Sequence, residues 1–339
     1  MIKVFYLLAF AAGMGSVAPS YSASLPALSY TTETKGPVPI PPSERTLQTI
    51  TAQPYFKVSD KGLQLEGAVF DLQGDLRFVD VFGDRVYRLT RDLKLTSFAT
   101  PPGFAPAGLA VHKDGRLFIA GLGNFKDSGG IIATKADGSD VETIIPPSAG
   151  FLVDDLDFDA KGGFYFTDFR GNTSDPKGGV LYVSPDGKTI TPVLPNLAVA
   201  NGVAIGPDGK TLWADELSAG ALHKVELSDA TTIAPFGTSI PYHFIGPAPD
   251  SMRVDSDGNV YVAIYGQGRI LVFNSTGIPI GQILIPGRET GHNLRSTSMA
   301  FRPGTNELLI LASDAQGGQG CSIYHVTAFA KGASTFAHP

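Results

Sequence analysis

Four oxygen-bearing residues stand at equivalent places along this chain. Glu66, Asp154, Asn201 and Asp250 each open a recurring block: Glu66-GAVFDLQG, Asp154-DLDFDAKG, Asn201-GVAIGPDG and Asp250-SMRVDSDG. Two further blocks open on Ala107 (AGLAVHKDG) and Thr297 (TSMAFRPG), and the start-to-start spacings are 41, 47, 47, 49 and 47 residues. If the six first residues meet at one axis, three carboxylates and an amide face a common point. At a separation of roughly 5 Å and an effective dielectric of about 20, each carboxylate pair repels by roughly 3 kcal/mol. Such a set either takes up protons or is neutralised by a cation. The donors are all oxygen, with no His or Cys among them, which selects a hard cation: calcium first, then magnesium or manganese, with zinc a poorer match. Asp and Asn at turn-to-strand junctions also commonly satisfy local backbone groups. Four such residues at six equivalent positions favour the metal.

The elements that would position this ring follow from the same repeat. Each block runs into an alternating strand (LRFVD, RLFIA, GFYFTD, KTLWAD, NVYVA, ELLIL). Two more strand patterns follow in several repeats, as in GGVLYVSPDG with KTITPVL and RILVFNSTG with PIGQILI. Asp-Gly pairs at 114–115, 137–138, 186–187, 208–209 and 257–258 mark hairpin turns. Strands and turns recurring every 40–50 residues or so are the signature of a β-propeller. The expected fold is all-β, a six-bladed β-propeller with four-stranded blades. Residues 47–58 (LQTITAQPYFKV) carry strand-forming residues ahead of the first block and are expected to close the ring against the last blade, removing an exposed sheet edge. Single Trp213 sits mid-strand and reads as core.

Bulk properties narrow the function classes. The 339 residues carry a net charge of −6 and no Lys/Arg cluster, so nucleic-acid binding is not expected. Lys3, an apolar VFYLLAFAAG run and small residues up to Ser22 or Ala23 read as a secretory signal, which predicts export to the periplasm or medium. Gly13, Gly15 and Pro19 interrupt that stretch and argue against a membrane anchor, so no membrane association is expected after cleavage. The domain reading is a signal peptide at 1–22, an extended Pro-, Ser- and Thr-rich arm at 23–45, and the propeller at 46–339. The single cysteine, Cys321, has no partner for an internal disulfide.

Competing motifs are weak. Asp127-Ser128-Gly129-Gly130 imitates a serine-protease nucleophile loop without the matching His context, and neither a GxSxG elbow nor an HExxH pair occurs. His243 is a candidate pocket residue or a packed or surface histidine. Asp255-Ser-Asp257-Gly258 hints at a calcium loop but lies where a hairpin turn is expected.

The blocks resemble the SMP-30/gluconolactonase family of six-bladed propellers over roughly residues 46–338. LEG at 65–67, VDDLDFDAKGGFYFTDF at 153–169, VANGVAIGPDGKTLW at 199–213 and PDSMRVDSDGNVYVA at 249–263 carry the likeness. KGGFYFTDFRG, YGQGRILVFN, PIGQILIPGR and FAKG are similar to the bacterial drug-responsive lactonase branch of that family. The resemblance implies a metal lactonase. Glu66, Asp154, Asn201 and Asp250 match the catalytic-metal set, Ser251 is a further candidate ligand, and Asp250 matches the residue assigned to proton transfer. Some relatives hold a second, structural calcium near 127–150, where Asp127, Ser128 and Gly129 offer part of a site but IIPPSAGF at 144–151 offers no carboxylate. The implied activity is calcium-dependent hydrolysis of a small-molecule lactone by water. Two readings of other kinds stay open: a non-enzymatic propeller that binds a ligand or protein, and a phosphotriesterase-type hydrolase.

Overall fold

The computed structural model describes residues 25–314 and 318–339. The proposed signal sequence therefore lies outside the described residues. Six sheets surround a central axis. Their innermost strands are Leu65–Phe70, Pro106–Val111, Val153–Phe158, Ala200–Ile205, Pro249–Val254 and Arg295–Phe301. Each is followed by antiparallel neighbours in sequence order, from the axis outwards. The repeat read from the sequence is thus the blade, and each expected inner strand lies beside the axis. Helix is confined to one short turn, Thr32–Lys35, and three 3₁₀ turns among the described residues.

The core is divided among the blade interfaces. Phe118, Ile131 and Ala133 of the second blade pack on Leu156, Phe164 and Phe166 of the third. Trp213, 1% exposed, packs with Leu222 of the fourth blade against Met252 and Val262 of the fifth. Each sheet buries its faces only against its neighbours, so the ring must close before any blade is fully covered. All five Asp-Gly glycines take positive φ, between 65° and 89°.

Closure is shared between two blades rather than one. Gln53–Ser59 pairs antiparallel with Cys321–Thr327 and completes the sixth blade as its outermost strand. Gln48–Thr51 instead runs parallel beside Pro279–Leu284, giving the fifth blade a fifth strand. The expected closing segment 47–58 is therefore split at buried Ala52, where the chain steps from one blade to the next. Just ahead of it, Glu44 is buried against Arg269, each 1% exposed. The Glu44 carboxylate also accepts from the Tyr242 hydroxyl, and its carbonyl accepts from Gln282 Nε2 at 3.1 Å. Loss of either charge of the Glu44–Arg269 pair would strand the other in a dry interface.

Candidate active site

All six inner strands share one irregularity at the expected ring position. Pairing with the second strand jumps from Glu66↔Val79 to Val69↔Arg77, from Val153↔Asp168 to Leu156↔Phe166 and from Pro249↔Ile264 to Met252↔Val262. The same slip follows Pro106, Ala200 and Ser296. Each slip inserts one residue, a β-bulge at or just after the ring position: Glu66 stays paired with Val79, whereas the other five ring residues lie within the bulge. The residue after each ring position is small or short: Gly67, Gly108, Asp155, Gly202, Ser251 and Ser298. A Cβ on Gly67 would lie 2.6 Å from the Ala107 carbonyl oxygen, on Gly108 2.4 Å from that of Asp154, and on Gly202 2.6 Å from that of Asp250. Each of these three bulges thus touches the backbone of the next ring residue. The recurrent Gly of the blocks is a condition for closing the ring this tightly.

The ring brings Glu66, Asp154, Asn201 and Asp250 to one end of the channel. Asp154, Asn201 and Asp250 are buried, at 9%, 4% and 3% exposure, and Glu66 is part-buried. Burial, then Asp250 and Asp154, pushes the Glu66 carboxyl well above the usual range. Burial, then Asp250 and Asp155, does the same to Asp154. Asp250 is pushed up to about 8, chiefly by burial and further by Asp155, while the Ser251 amide and Asn201 pull it back. Asp250 thus acts on both Glu66 and Asp154. As they stand, no three His, Cys, Asp or Glu side chains among the described residues are drawn together into a preformed metal cluster.

The donor set nonetheless fits a hard cation. Asn201 Oδ1 is buried and has no hydrogen-bond partner among the described residues. An orphan amide oxygen beside carboxylates that resist ionisation lacks a positive partner. Ser251 lies on the bulge and spends its amide on Asp250 Oδ1 at 2.9 Å. The two departures are structural: Ala107 is buried, and Thr297 donates its hydroxyl to the Leu65 carbonyl at 2.6 Å, stitching the last blade to the first.

Sequence reasoning missed three charged neighbours. Asp215, at the end of the TLWAD pattern, is fully buried; its Oδ1 accepts from the Gly202 amide at 3.2 Å and its Oδ2 is unpartnered among the described residues. Burial, then Asp250, holds its carboxyl well above the usual range. Asp155 accepts from Arg253 Nη1 at 3.1 Å, beneath the ring. Asp155 and Arg253 sit inside blocks already noted, so block spacing alone did not separate them from strand interior.

The remaining candidates stay away from the axis. His243 is exposed and ends the outermost strand of the fourth blade, Thr232–His243. Asp127 is exposed in a loop that satisfies itself: Asn124 Nδ2 donates to Asp127 Oδ1 at 3.0 Å, and Asn124 Oδ1 accepts from the amides of 126, 127 and 128. Asp255 accepts from the amides of Asp257 and Asn259, the hairpin turn expected there. A cavity of about 620 Å³ opens at the opposite end of the channel, lined by Phe70, Phe158, Phe301 and the C-terminal tail. Asp157 brings the single side-chain carboxylate among its lining residues.

Comparison with known proteins identifies the family of the fold. Residues 65–313 match the family described as SMP-30/Gluconolactonase/LRE-like region. A protein of Staphylococcus haemolyticus named Lactonase drp35 is 53% identical over 319 residues, 92% of this chain and 98% of that one. Its namesake in Staphylococcus aureus is 51% identical over 318 residues, 92% and 97% of the two chains. Among solved structures, the calcium-binding protein regucalcin of Agrobacterium tumefaciens superposes with a TM-score of 0.67 at 18% identity, covering 84% of this chain and 98% of that one. A putative gluconolactonase gives 0.65 at 18% identity, covering 85% and 97%. These structural likenesses establish the propeller fold, and the sequence matches go further: the chain belongs to the SMP-30/gluconolactonase/LRE-like family.

Proposed function

We propose that this protein hydrolyses lactones with a divalent cation, calcium by preference, held by Glu66, Asp154, Asn201 and Asp250, with Ser251 as a further candidate ligand. The observation that carries the reading is the ring itself: four oxygen donors on bulged inner strands, three of them carboxylates held above their usual range, the fourth an unpartnered buried amide oxygen. Relatives named Lactonase at about half identity over nearly the whole chain support the substrate class.

When bound, the cation would polarise the ester carbonyl and stabilise the charge that develops as water attacks. The rest falls to the chain. Calcium is a weak acid, so a protein group must take the proton from the attacking water. Asp250 is that group. The raised carboxyl holds its own proton in the metal-free site; once that proton has been displaced, the Asp250 carboxylate can take one from water and return it to the leaving alkoxide. The Ser251 amide fixes Oδ1, leaving Oδ2 for proton transfer. Arg253, through Asp155, holds positive charge beneath the ring. Residues 1–22 are proposed as a cleaved export signal, which the intact mass of the exported protein tests directly.

The deciding experiment is metal analysis of purified protein followed by a panel of small lactones with calcium and with chelator. Calcium-dependent turnover on some lactone is expected. Stoichiometric metal without any lactone turnover would shift the reading to a binding propeller or a hydrolase of another ester class.

A further inference from the structure

The residues two positions before the ring form a second rung, one step nearer the mouth: Gln64, Ala105, Leu152, Val199, Ala248 and Arg295. Hydrogen bonding aligns them, since the carbonyls of Gln64, Ala105, Leu152 and Val199 accept from the residue that follows each second strand. Four members are apolar. Gln64 donates to Glu66 Oε1 at 3.3 Å and so serves the ring. Arg295 is the rung's one charge.

Arg295 is half-buried and makes no hydrogen bond or ion pair through its side chain among the described residues. Residues 1–24 and 315–317 contain no Asp or Glu, so those segments supply no side-chain carboxylate. The Arg295 backbone bridges to Tyr265, which follows the second strand of the fifth blade. The phenol of Tyr265 feels the Arg295 charge as well as those of Asp250 and Glu66. Arg295 and Tyr265 therefore stand side by side at the ring end of the inner strands. A guanidinium kept part-buried without a counter-ion is a costly arrangement, and its planar fork matches a carboxylate.

We infer that Arg295 is a specificity-determining residue that pairs with a carboxylate on the substrate, so that the preferred lactones carry an anionic substituent on the ring. The inference rests on the lactonase reading for its reaction but not for its binding step. The rival role for Arg295 is to offset the residual negative charge of the ring.

The test compares γ-butyrolactone with the same ring bearing a carboxylate, at saturating calcium, in wild type, Arg295→Met and Arg295→Lys. Wild type is expected to favour the anionic lactone. Arg295→Met should raise KM for that lactone roughly 30-fold or more, the effect of removing one partner of a buried charge pair, and leave the neutral lactone within about twofold. Arg295→Lys should recover part of the loss, keeping charge but not the fork. Equal losses on both lactones, or no wild-type preference for the anionic one, would overturn the inference. Calorimetry with cyclopentanone-3-carboxylate against cyclopentanone separates the two readings. If no lactone is turned over, carboxylate binding that is lost in Arg295→Met keeps the inference and removes the lactonase reading; its retention removes both.

Discussion

At one end of the channel the six inner strands present Glu66, Ala107, Asp154, Asn201, Asp250 and Thr297. Four residues further along the same strands they present Phe70, Val111, Phe158, Ile205, Val254 and Phe301. The backbone is equivalent at both ends, yet the two ends are stabilised by opposite means. At the far end the chain completes itself. Its C-terminal tail crosses the opening, with Ser256 N donating to the Lys331 carbonyl at 2.7 Å and Ala333 N to that of Val254 at 3.1 Å. Phe336 stacks on Phe158 at 5.5 Å and meets His112 edge-on at 4.9 Å. At the ring end Arg253 is spent on Asp155, and among the described residues no Lys, Arg or His forms an ion pair with Glu66, Asp154 or Asp250. The far end is held by apolar packing, whereas the ring end is left short of a partner, and a partner from solution is what a binding site requires.

That contrast breaks most sharply in catalysis. Asp250→Asn keeps an oxygen donor but cannot take a proton. It should retain metal and lose roughly 10²–10⁴-fold in turnover, the usual range for a general base. Glu66→Ala should lose metal and activity together. Lactone hydrolysis measured beside metal content checks both, and full activity in metal-loaded Asp250→Asn would remove Asp250 from its role.

The far end should respond in the other currency. Phe158 is 5% exposed and contacts Phe118, Phe164 and Phe336. Phe158→Ala should lower stability by about 3–5 kcal/mol through lost transfer energy and a residual cavity. Calcium affinity and turnover per folded molecule should hold. Denaturant unfolding beside a calcium titration makes the comparison. A variant that unfolds no more easily but binds calcium poorly would mean that the two ends are coupled through the strands.

How much of this could be read from the sequence differs between the two ends. The ring was legible because its donors stand at the same offset in four of the six blocks, and a repeat fixes register without any contact being known. The far end was not, since Phe70, Val111 and Phe158 look like ordinary strand interior and nothing in FAKGASTFAHP says where the tail lies. Arg295 was hidden for a related reason: its meaning comes from the five neutral residues at its level in other blades. The closing segment was foreseen as one unit, but the step at Ala52 depends on two sheet edges being open at once. Asp215 ends a strand pattern like any other, and only its missing partner marks it out.

The smallest expected effect concerns pH, and it isolates the ring from the rest of the molecule. The carboxyls of Glu66, Asp154, Asp215 and Asp250 are raised in the folded chain, mainly by burial. A raised carboxyl holds its proton longer in the folded than in the unfolded state. Its contribution to stability is therefore present below the unfolded value, about 4, and is lost as pH rises through the folded value, which for Asp250 is about 8. Without metal, this end should weaken steadily across that window. Calcium competes with those protons, so its affinity should rise over the same window, and at free calcium of about 100 times its dissociation constant it adds roughly 2.7 kcal/mol. Asp314 and Glu307, held low by hydrogen bonds against a burial penalty, pull the opposite way on acidification. They stand outside the proposed metal set, so they should cancel in the difference between calcium and chelator. That difference in Tm should be small near pH 5 and widen towards pH 8. A gap that stays constant with pH would mean that the ring carboxylates do not exchange protons for calcium, and no gap at any pH would remove the cation from this end of the channel.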